Sequence, residues 1–397
     1  MNAGVLIVIV AILVVIMIHE AGHFFVAKAF GFKATKFFLG FGPRLWSIKR
    51  GETEYGIAAI PAGGYVKIVG MNPYEEIPPE DRPRAYPNKP KWQRALVVLA
   101  GPATHWVVAF LLFAVATMTI GIETDRVTNQ VNAISVRTEG STERTAAAEA
   151  GIRPDDRIVA INGNPTPEWE QIQTYIRSHP DEAATLTIER DGEERDVDVH
   201  FGTAIFSAEG EVVAYGGPGE SVRAVREGEQ LFGFLGVEPA RYFDKQSFLG
   251  AMSSAGGAVV DSTARSFTGI GRIFSTVFNG ELLGEVAGSG ERELSDDSAV
   301  GIVGFVRFAG DIFALGRLHD LIAMIAQFTI LIGLMNLLPL PPLDGGHLAV
   351  LAYEQASGRQ VDVRKLIPVA AAVIAFFLVL FFAVLYLDIF RPLSTGI

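Results

Sequence analysis

Four stretches of the chain stay apolar for about the thickness of a lipid hydrocarbon layer: residues 5–30, 95–120, 321–343 and 367–387. Each is near the ~20 residues a helix needs to cross that layer, so four transmembrane helices are predicted. The first and third are interrupted by polar residues. Lipid penalises these unless they face a protein-lined or watery interior, which makes both spans candidates for a site. Between the first two spans, residues 45–48 and 53–60 flank Lys49-Arg50-Gly51-Glu52, a strand, turn, strand pattern of β-branched and aromatic residues about a central Gly. Pro61-Ala62-Gly63-Gly64-Tyr65-Val66-Lys67-Ile68 reads as a further turn and short strand. It is either a plain hairpin or, being Gly-rich and largely uncharged at Gly63, Gly64 and Tyr65, a sheet edge beside the membrane on which an extended substrate could add as a strand.

The long segment after the second span changes character. Strand patterns at 131–134, 157–161 and 185–190, with helical runs at 146–151 and 168–178, predict a small mixed α/β domain over about residues 129–200. Residues 201–246 lose periodicity and are rich in Gly and Glu, which predicts loop or linker. Helical spacing returns over 247–278, at Phe248, Met252, Val259, Phe267, Ile270 and Phe274. This predicts an amphipathic helix lying in the membrane interface or packed on the soluble domain.

Charge sets the orientation. The loop between the first two spans carries Lys33, Lys36, Arg44, Lys49, Arg50, Lys67, Arg82, Arg84, Lys89 and Lys91, a basic excess expected on the cytoplasmic side. The domain that follows is acidic and is expected outside, as are both termini. Arg359, Arg364 and Lys365 return the last connection to the cytoplasm. Over 397 residues the net charge is -11 with no basic stripe, which sets nucleic acid aside as a partner. There are no cysteines, so a metal site must use His and carboxylates. From residue 1 to 18 there is no Lys or Arg and no small-residue cleavage site follows, so the first span is expected to be retained rather than removed as a signal peptide.

The chemistry is concentrated in the interrupted spans. His19-Glu20-Ala21-Gly22-His23 places two imidazoles four residues apart, on one face of a helix, where they can ligate a single ion. With 7 His in 397 residues, such a pattern arises by chance about 0.01 times. The chemistry implied is hydrolysis: Zn2+ on His19 and His23 with one position kept for water, and Glu20 as the base that takes the water's proton. A third protein ligand is needed. Asn336-Leu337-Leu338-Pro339-Leu340-Pro341-Pro342-Leu343-Asp344-Gly345-Gly346 breaks the third span with prolines and ends in a carboxylate. Asp344 either completes two His and one carboxylate or opens a turn with Gly345. Asn336 either contacts a substrate backbone near the metal or serves as helix-packing glue. His347 is expected as a support, because a fourth protein ligand would close the open position.

These motifs resemble those of the bacterial site-2 proteases, and the resemblance covers most of the chain. Gly40-Phe41-Gly42-Pro43 and Gly63-Gly64-Tyr65-Val66-Lys67 are similar to that family's membrane-associated β-region, and residues 146–161 with the strands that follow are similar to a single PDZ domain. The resemblance implies a polytopic α-helical membrane protein with about four transmembrane helices, a membrane-associated β-hairpin region and an inserted extracytoplasmic PDZ (α+β) domain. The boundaries it suggests are 1–121 for the first two spans, 122–205 for the PDZ domain, 206–318 for a linker with the interfacial helix, and 319–397 for the last two spans. It implies zinc at His19, His23 and Asp344, Glu20 as catalytic acid/base, and Asn336 as a substrate contact. It further implies an enzyme of the bacterial plasma membrane, in contact with its lipid, that acts in regulated intramembrane proteolysis. The expected substrates are single-span proteins such as anti-sigma factors, already shortened by a site-1 protease, with the PDZ domain excluding intact ones. One position departs from the family pattern: Ala100-Gly101-Pro102-Ala103-Thr104-His105 has His105 where Asn is expected, and this imidazole either hydrogen-bonds within the core or approaches the metal. Two rival classes remain, a non-catalytic scaffold with structural zinc and a transporter; the absence of paired repeats weighs against the second.

Overall fold

In hydrocarbon the backbone has no hydrogen-bond partner but itself, and the run of Val, Ile, Leu and Ala near the start of the chain accordingly closes into helix α1 (Ala3–Ala29). The computed structural model describes residues 3–72, 74–135, 144–208, 212–220, 222–288, 292–293, 300–314, 316–391 and 393–394. The chain forms two units. The first takes in residues up to 119 together with 246–394, and the second comprises residues 120–245.

In the first unit, β1 (Ala34–Arg50) and β2 (Thr53–Ile68) follow α1. The hairpin begins earlier than its turn suggests and curls on itself. The segment around Phe37 and Phe38 pairs on one side with Tyr55 and Gly56 and on the other with Tyr65 and Val66. The last part of β2 is thereby left at a sheet edge. In the turn of the hairpin, Glu52 is held by Arg84 at 2.7 and 2.8 Å and by Lys28 at 2.7 Å. The Arg84 hydrogen bonds above all, and then that from Lys28, bring its carboxyl down from 4.5 to about 2. Helix α2 (Lys91–Thr119) then supplies the second apolar helix.

The second unit is built on a sheet that its sequence only partly announces. Its elements are β3 (Ile122–Ile134), α3 (Ala146–Ala150), β4 (Arg157–Ile161), β5 (Asn164–Pro165), α4 (Trp169–Ser178), β6 (Ala183–Arg190), β7 (Glu193–His200), β8 (Gly202–Phe206), β9 (Val212–Gly216), β10 (Gln230–Phe234) and β11 (Val237–Asp244). The larger sheet runs β11-β3-β4-β6-β7, with β5 on β4, and a smaller one runs β10-β8-β9. Ile158, Ile161, Ile172, Leu186, Ile188 and Phe201 fill the core between sheet and helices. Residues 201–246, expected as loop or linker, thus carry four strands. Their apolar runs are only five to eight residues long, and β11 pairs with β3, over a hundred residues earlier. Neither feature leaves a local period to read.

The chain returns to the first unit as α5 (Phe248–Phe278), α6 (Glu281–Ala287) and β12 (Arg292–Glu293). There follow α7 (Ile302–Ala314), α8 (Leu318–Leu337), α9 (Asp344–Ser357), α10 (Ile367–Phe390) and β13 (Leu393–Ser394). Among the described residues, four helices are long and apolar enough to cross a membrane: α1, α2, α8 and the stretch 364–390 that contains α10. Helix α5, expected to be amphipathic, belongs to the first unit and packs against α2 and α8. The Trp106 indole donates to Thr263 Oγ1 at 3.0 Å, and the Gln327 amide donates to Ser266 Oγ at 2.5 Å. Its buried positions are mostly small, Ala251, Ala255, Ser262 and Ser266, which lets the backbones approach closely. Helix α7, unforeseen in the sequence, packs on α1 through Val8, Ala309 and Ile312. Its N-terminus is capped by the buried Asp388 of α10, which accepts from the backbone N–H groups of Gly301 and Gly304 at 3.2 and 2.8 Å.

Candidate metal centre

On α1, His19 and His23 stack one turn apart and are both buried. Two glycines let α2 come close enough to enclose them. A Cβ on Gly22 would lie 2.5 Å from the Ala100 carbonyl oxygen, and one on Gly101 would lie 2.2 Å from His23 Nε2. The α2 backbone also sets the chemistry of that ring. His23 Nδ1 lies 2.8 Å from the Val97 carbonyl oxygen, which can only accept, so Nδ1 carries the proton and Nε2 keeps its lone pair. His19 Nδ1 in turn lies 3.0 Å from His105 Nε2.

Asp344 is brought in from the far end of the chain. The third span, an apolar stretch over 321–343 expected to be broken by its prolines, ends as helix at Leu337, because Pro339, Pro341 and Pro342 lack donors and clash with a continuing turn. Asp344 opens the next helix, α9, rather than closing the span. The reversal is tight: a Cβ on Gly345 would lie 2.2 Å from the carbonyl oxygens of both Leu337 and Leu338. Helix α9 is tied to the start of α2, where Lys91 donates to the Glu354 carbonyl at 2.8 Å and Arg94 pairs with the Glu354 carboxylate at 3.6 Å.

Three ligand atoms converge as a result. His19 Nε2 and His23 Nε2 are 3.2 Å apart, and each is 3.3 Å from Asp344 Oδ2. Two ligand atoms at bond lengths of about 2.0–2.1 Å and a tetrahedral angle are about 3.3–3.4 Å apart, so the triangle has the dimensions zinc requires. The donor set fits as well, because two imidazole nitrogens and a carboxylate oxygen with lone pairs aimed at one point repel each other unless a cation lies between them.

Glu20 leaves α1 beside this triangle, and the edge of β2 reaches it. The Val66 backbone N–H donates to Glu20 Oε2 at 3.0 Å. A Cβ on Gly64 would lie 2.8 Å from Met17 Sδ and 3.3 Å from Glu20 Cγ, so only glycine lets the strand lie this near. Gly63 adopts φ +142, and Tyr65 stacks on Phe38 and Phe41 with ring centroids 5.6 and 5.8 Å away. Of the sequence-predicted residues, His19, His23 and Asp344 are drawn together, Gly64 lies against Glu20, and Gly63 and Tyr65 flank Gly64 on β2 and pack on Phe41. Asn336 sits one residue before the end of α8, and His347 lies on the first turn of α9.

A family model described as peptidase family M50 matches residues 7–381, nearly the whole chain. The chain belongs to peptidase family M50. Its relatives include zinc metalloprotease Rip1 of Mycobacterium tuberculosis, 30% identical over 365 residues and covering 89% of this chain and 86% of the relative. Zinc metalloprotease Rip1 of Mycolicibacterium smegmatis is 30% identical over 425 residues, covering 98% of each. Metalloprotease MmpA of Caulobacter vibrioides is 30% identical over 395 residues, covering 90% and 88%. This M50 chain is therefore a site-2-type metalloendopeptidase that uses zinc, and its four apolar helices make it a multi-pass membrane protein acting on membrane proteins.

Several groups around the M50 motif escaped the sequence. The Val97 carbonyl and Val66 N–H are backbone groups with no sequence signature. Thr329, fully buried on α8, lies 2.8 Å from His105 Nδ1. A polar residue in an otherwise apolar span was the available signal for Thr329, and its spacing from the helix break gave no partner.

Proposed function

We propose that this protein cleaves peptide bonds within or at the edge of a substrate's transmembrane segment, with zinc held by His19, His23 and Asp344. The observation that carries this is the triangle of Nε2, Nε2 and Oδ2 atoms, 3.2–3.3 Å on each side, with both histidines on a helix apolar enough to span a membrane. When bound, zinc supplies Lewis acidity for the scissile carbonyl and makes water a stronger nucleophile at neutral pH. Glu20 takes the proton from that water and delivers it to the leaving amine. The Val97 carbonyl, accepting from Nδ1–H, holds the His23 imidazole with its Nε2 lone pair inward.

Substrate enters as an extended segment along the β2 edge. Gly63, Gly64 and Tyr65 bind its backbone and neighbouring side chains, and Asn336 contacts it from the end of α8. The glycine-permitted approach of β2 to Glu20 supports this. His19 lies ten residues before the end of α1, about 15 Å along the axis, and the basic loop after it puts the centre nearer the cytoplasmic face of the plasma membrane. The second unit serves as an extracytoplasmic PDZ domain, supported by its six-stranded sheet with two helices and by the edge position of β11. It excludes intact substrates, so that single-span proteins such as anti-sigma factors are cut only after a first protease has shortened them.

The test is cleavage of a model single-span substrate by purified protein. Glu20→Gln is expected to keep zinc and lose about 10²–10⁴-fold in rate, while Asp344→Asn loses zinc itself. Full activity in Glu20→Gln, or cleavage that survives complete removal of zinc, refutes the mechanism.

A further inference from the structure

His105 is 1% exposed and lies between α1 and α8, with both ring nitrogens engaged. Nε2 is 3.0 Å from His19 Nδ1, and Nδ1 is 2.8 Å from Thr329 Oγ1. Room for the ring is made on the α8 side, where a Cβ on Gly333 would lie 2.8 Å from His105 Cβ. His105 meets His19 on the nitrogen that points away from Asp344, so in this arrangement it is a support and not a fourth ligand.

We infer that His105 is the positioning residue that holds the His19 ring with its Nε2 toward Asp344, by accepting from the His19 Nδ1–H, and that Thr329 holds the His105 ring in place by accepting from its Nδ1–H. The inference rests on the metal centre proposed above. If His19 presents the Nε2 lone pair to a metal, its proton is on Nδ1, and that N–H must donate. His105 Nε2 must then accept, which puts the His105 proton on Nδ1, where it donates to Thr329 Oγ1. The opposite assignment puts a proton on His105 Nε2 facing His19 and forces the His19 lone pair outward, away from Asp344. The direction of donation therefore runs α1 to α2 to α8, and three helices are joined through one pair of rings. His23 reaches the same state by a different route, through a backbone carbonyl that cannot change tautomer. His19 thus depends on a side chain that can.

The requirement at position 105 is one acceptor toward His19 and one donor toward Thr329. An amide side chain offers both; a hydrocarbon offers neither. The test measures zinc affinity of purified full-length protein by competition with a chromophoric chelator, together with the visible spectrum of Co2+ in zinc's place. His105→Asn is expected to bind within about threefold of the parent, and His105→Leu about 10–100-fold more weakly with an altered Co2+ spectrum. Thr329→Val, which keeps the volume and removes the acceptor, is expected to weaken zinc about 2–10-fold, and Thr329→Ser to restore it. Parental affinity in His105→Leu overturns the inference, as does His105→Asn binding as weakly as His105→Leu, since then packing alone matters. If His105→Leu does not fold, the Thr329 pair decides, and equal affinity in Thr329→Val and Thr329→Ser overturns it. His19→Ala separates the two levels: parental zinc affinity there removes the metal centre itself, whereas loss there beside unchanged His105 variants removes only the relay.

Discussion

Gly101→Ala is the smallest change that tests how the proposed centre is held. The added methyl would start 2.2 Å from His23 Nε2, 2.4 Å from Cε1 and 2.8 Å from Cδ2, whereas ordinary contact begins at 3.4 Å. To reach that contact the ring must retreat by about 1 Å, and a misplacement of that size at a reacting centre costs on the order of 100-fold in rate. Retreat also strains the Nδ1–H bond to the Val97 carbonyl, 2.8 Å in the parent, so the tautomer is less well held and zinc affinity should fall about 10–100-fold. Overpacking adds a stability loss of about 1–3 kcal/mol. Gly256→Ala on α5 is the matched control, because a Cβ there meets nothing within 4 Å; it should leave zinc untouched and stabilise the helix by about 0.5–1 kcal/mol. Both variants would be compared by zinc competition, thermal melting and cleavage of a single-span substrate. If Gly101→Ala binds zinc within threefold of the parent and cleaves at the parental rate, the tight α1–α2 contact does not position His23.

Zinc at a hundred times its dissociation constant should stabilise the folded protein by about 2.7 kcal/mol, raising the melting temperature by roughly 3–5 °C; His23→Ala should abolish the rise. Asp388→Ala removes the buried cap of α7 and leaves the Gly301 and Gly304 N–H groups without their acceptor, a loss of about 1–3 kcal/mol readable by thermal melting. Glu52, held at about 2 against an ordinary 4.5, stabilises the folded chain fully above pH 4.5 and loses that contribution as pH falls towards 2. The melting temperatures of the parent and Glu52→Gln should accordingly differ at pH 6 and converge near pH 2, and a gap that persists at pH 2 would point to lost packing rather than lost charge.

The sequence was most legible where a single helix carries the information. His19, Glu20 and His23 share one turn of one helix, and the four apolar stretches correspond to α1, α2, α8 and α10, with only the third misjudged at its end. Asp344 could be found because three prolines announce a break beside a carboxylate, although the new helix it opens depends on Gly345 fitting under the Leu337 carbonyl. Strands β8 to β11 were opaque because their partners are remote or their runs are short, and β pairing has no local period that names its partner. The role of His105 was hidden for another reason. Its two partners, His19 and Thr329, lie 86 and 224 residues away, and each is a polar interruption with several possible uses until the helices are packed.

The proposed centre takes its first two donors from α1 and its third from the start of α9, more than three hundred residues later. At synthesis rates of about 5–20 residues per second, on the order of 15–60 s separate their emergence. Throughout that interval α1 already sits in the lipid with a glutamate beside two histidines, yet the nascent chain cannot close a three-ligand site or shape the groove around it. A ribosome-bound or truncated chain is thus inert towards its neighbours in the bilayer, and hydrolytic competence arrives as a late event of folding. With the centre proposed above, the order of helices along the chain means that no zinc site closes before the start of α9 has been made.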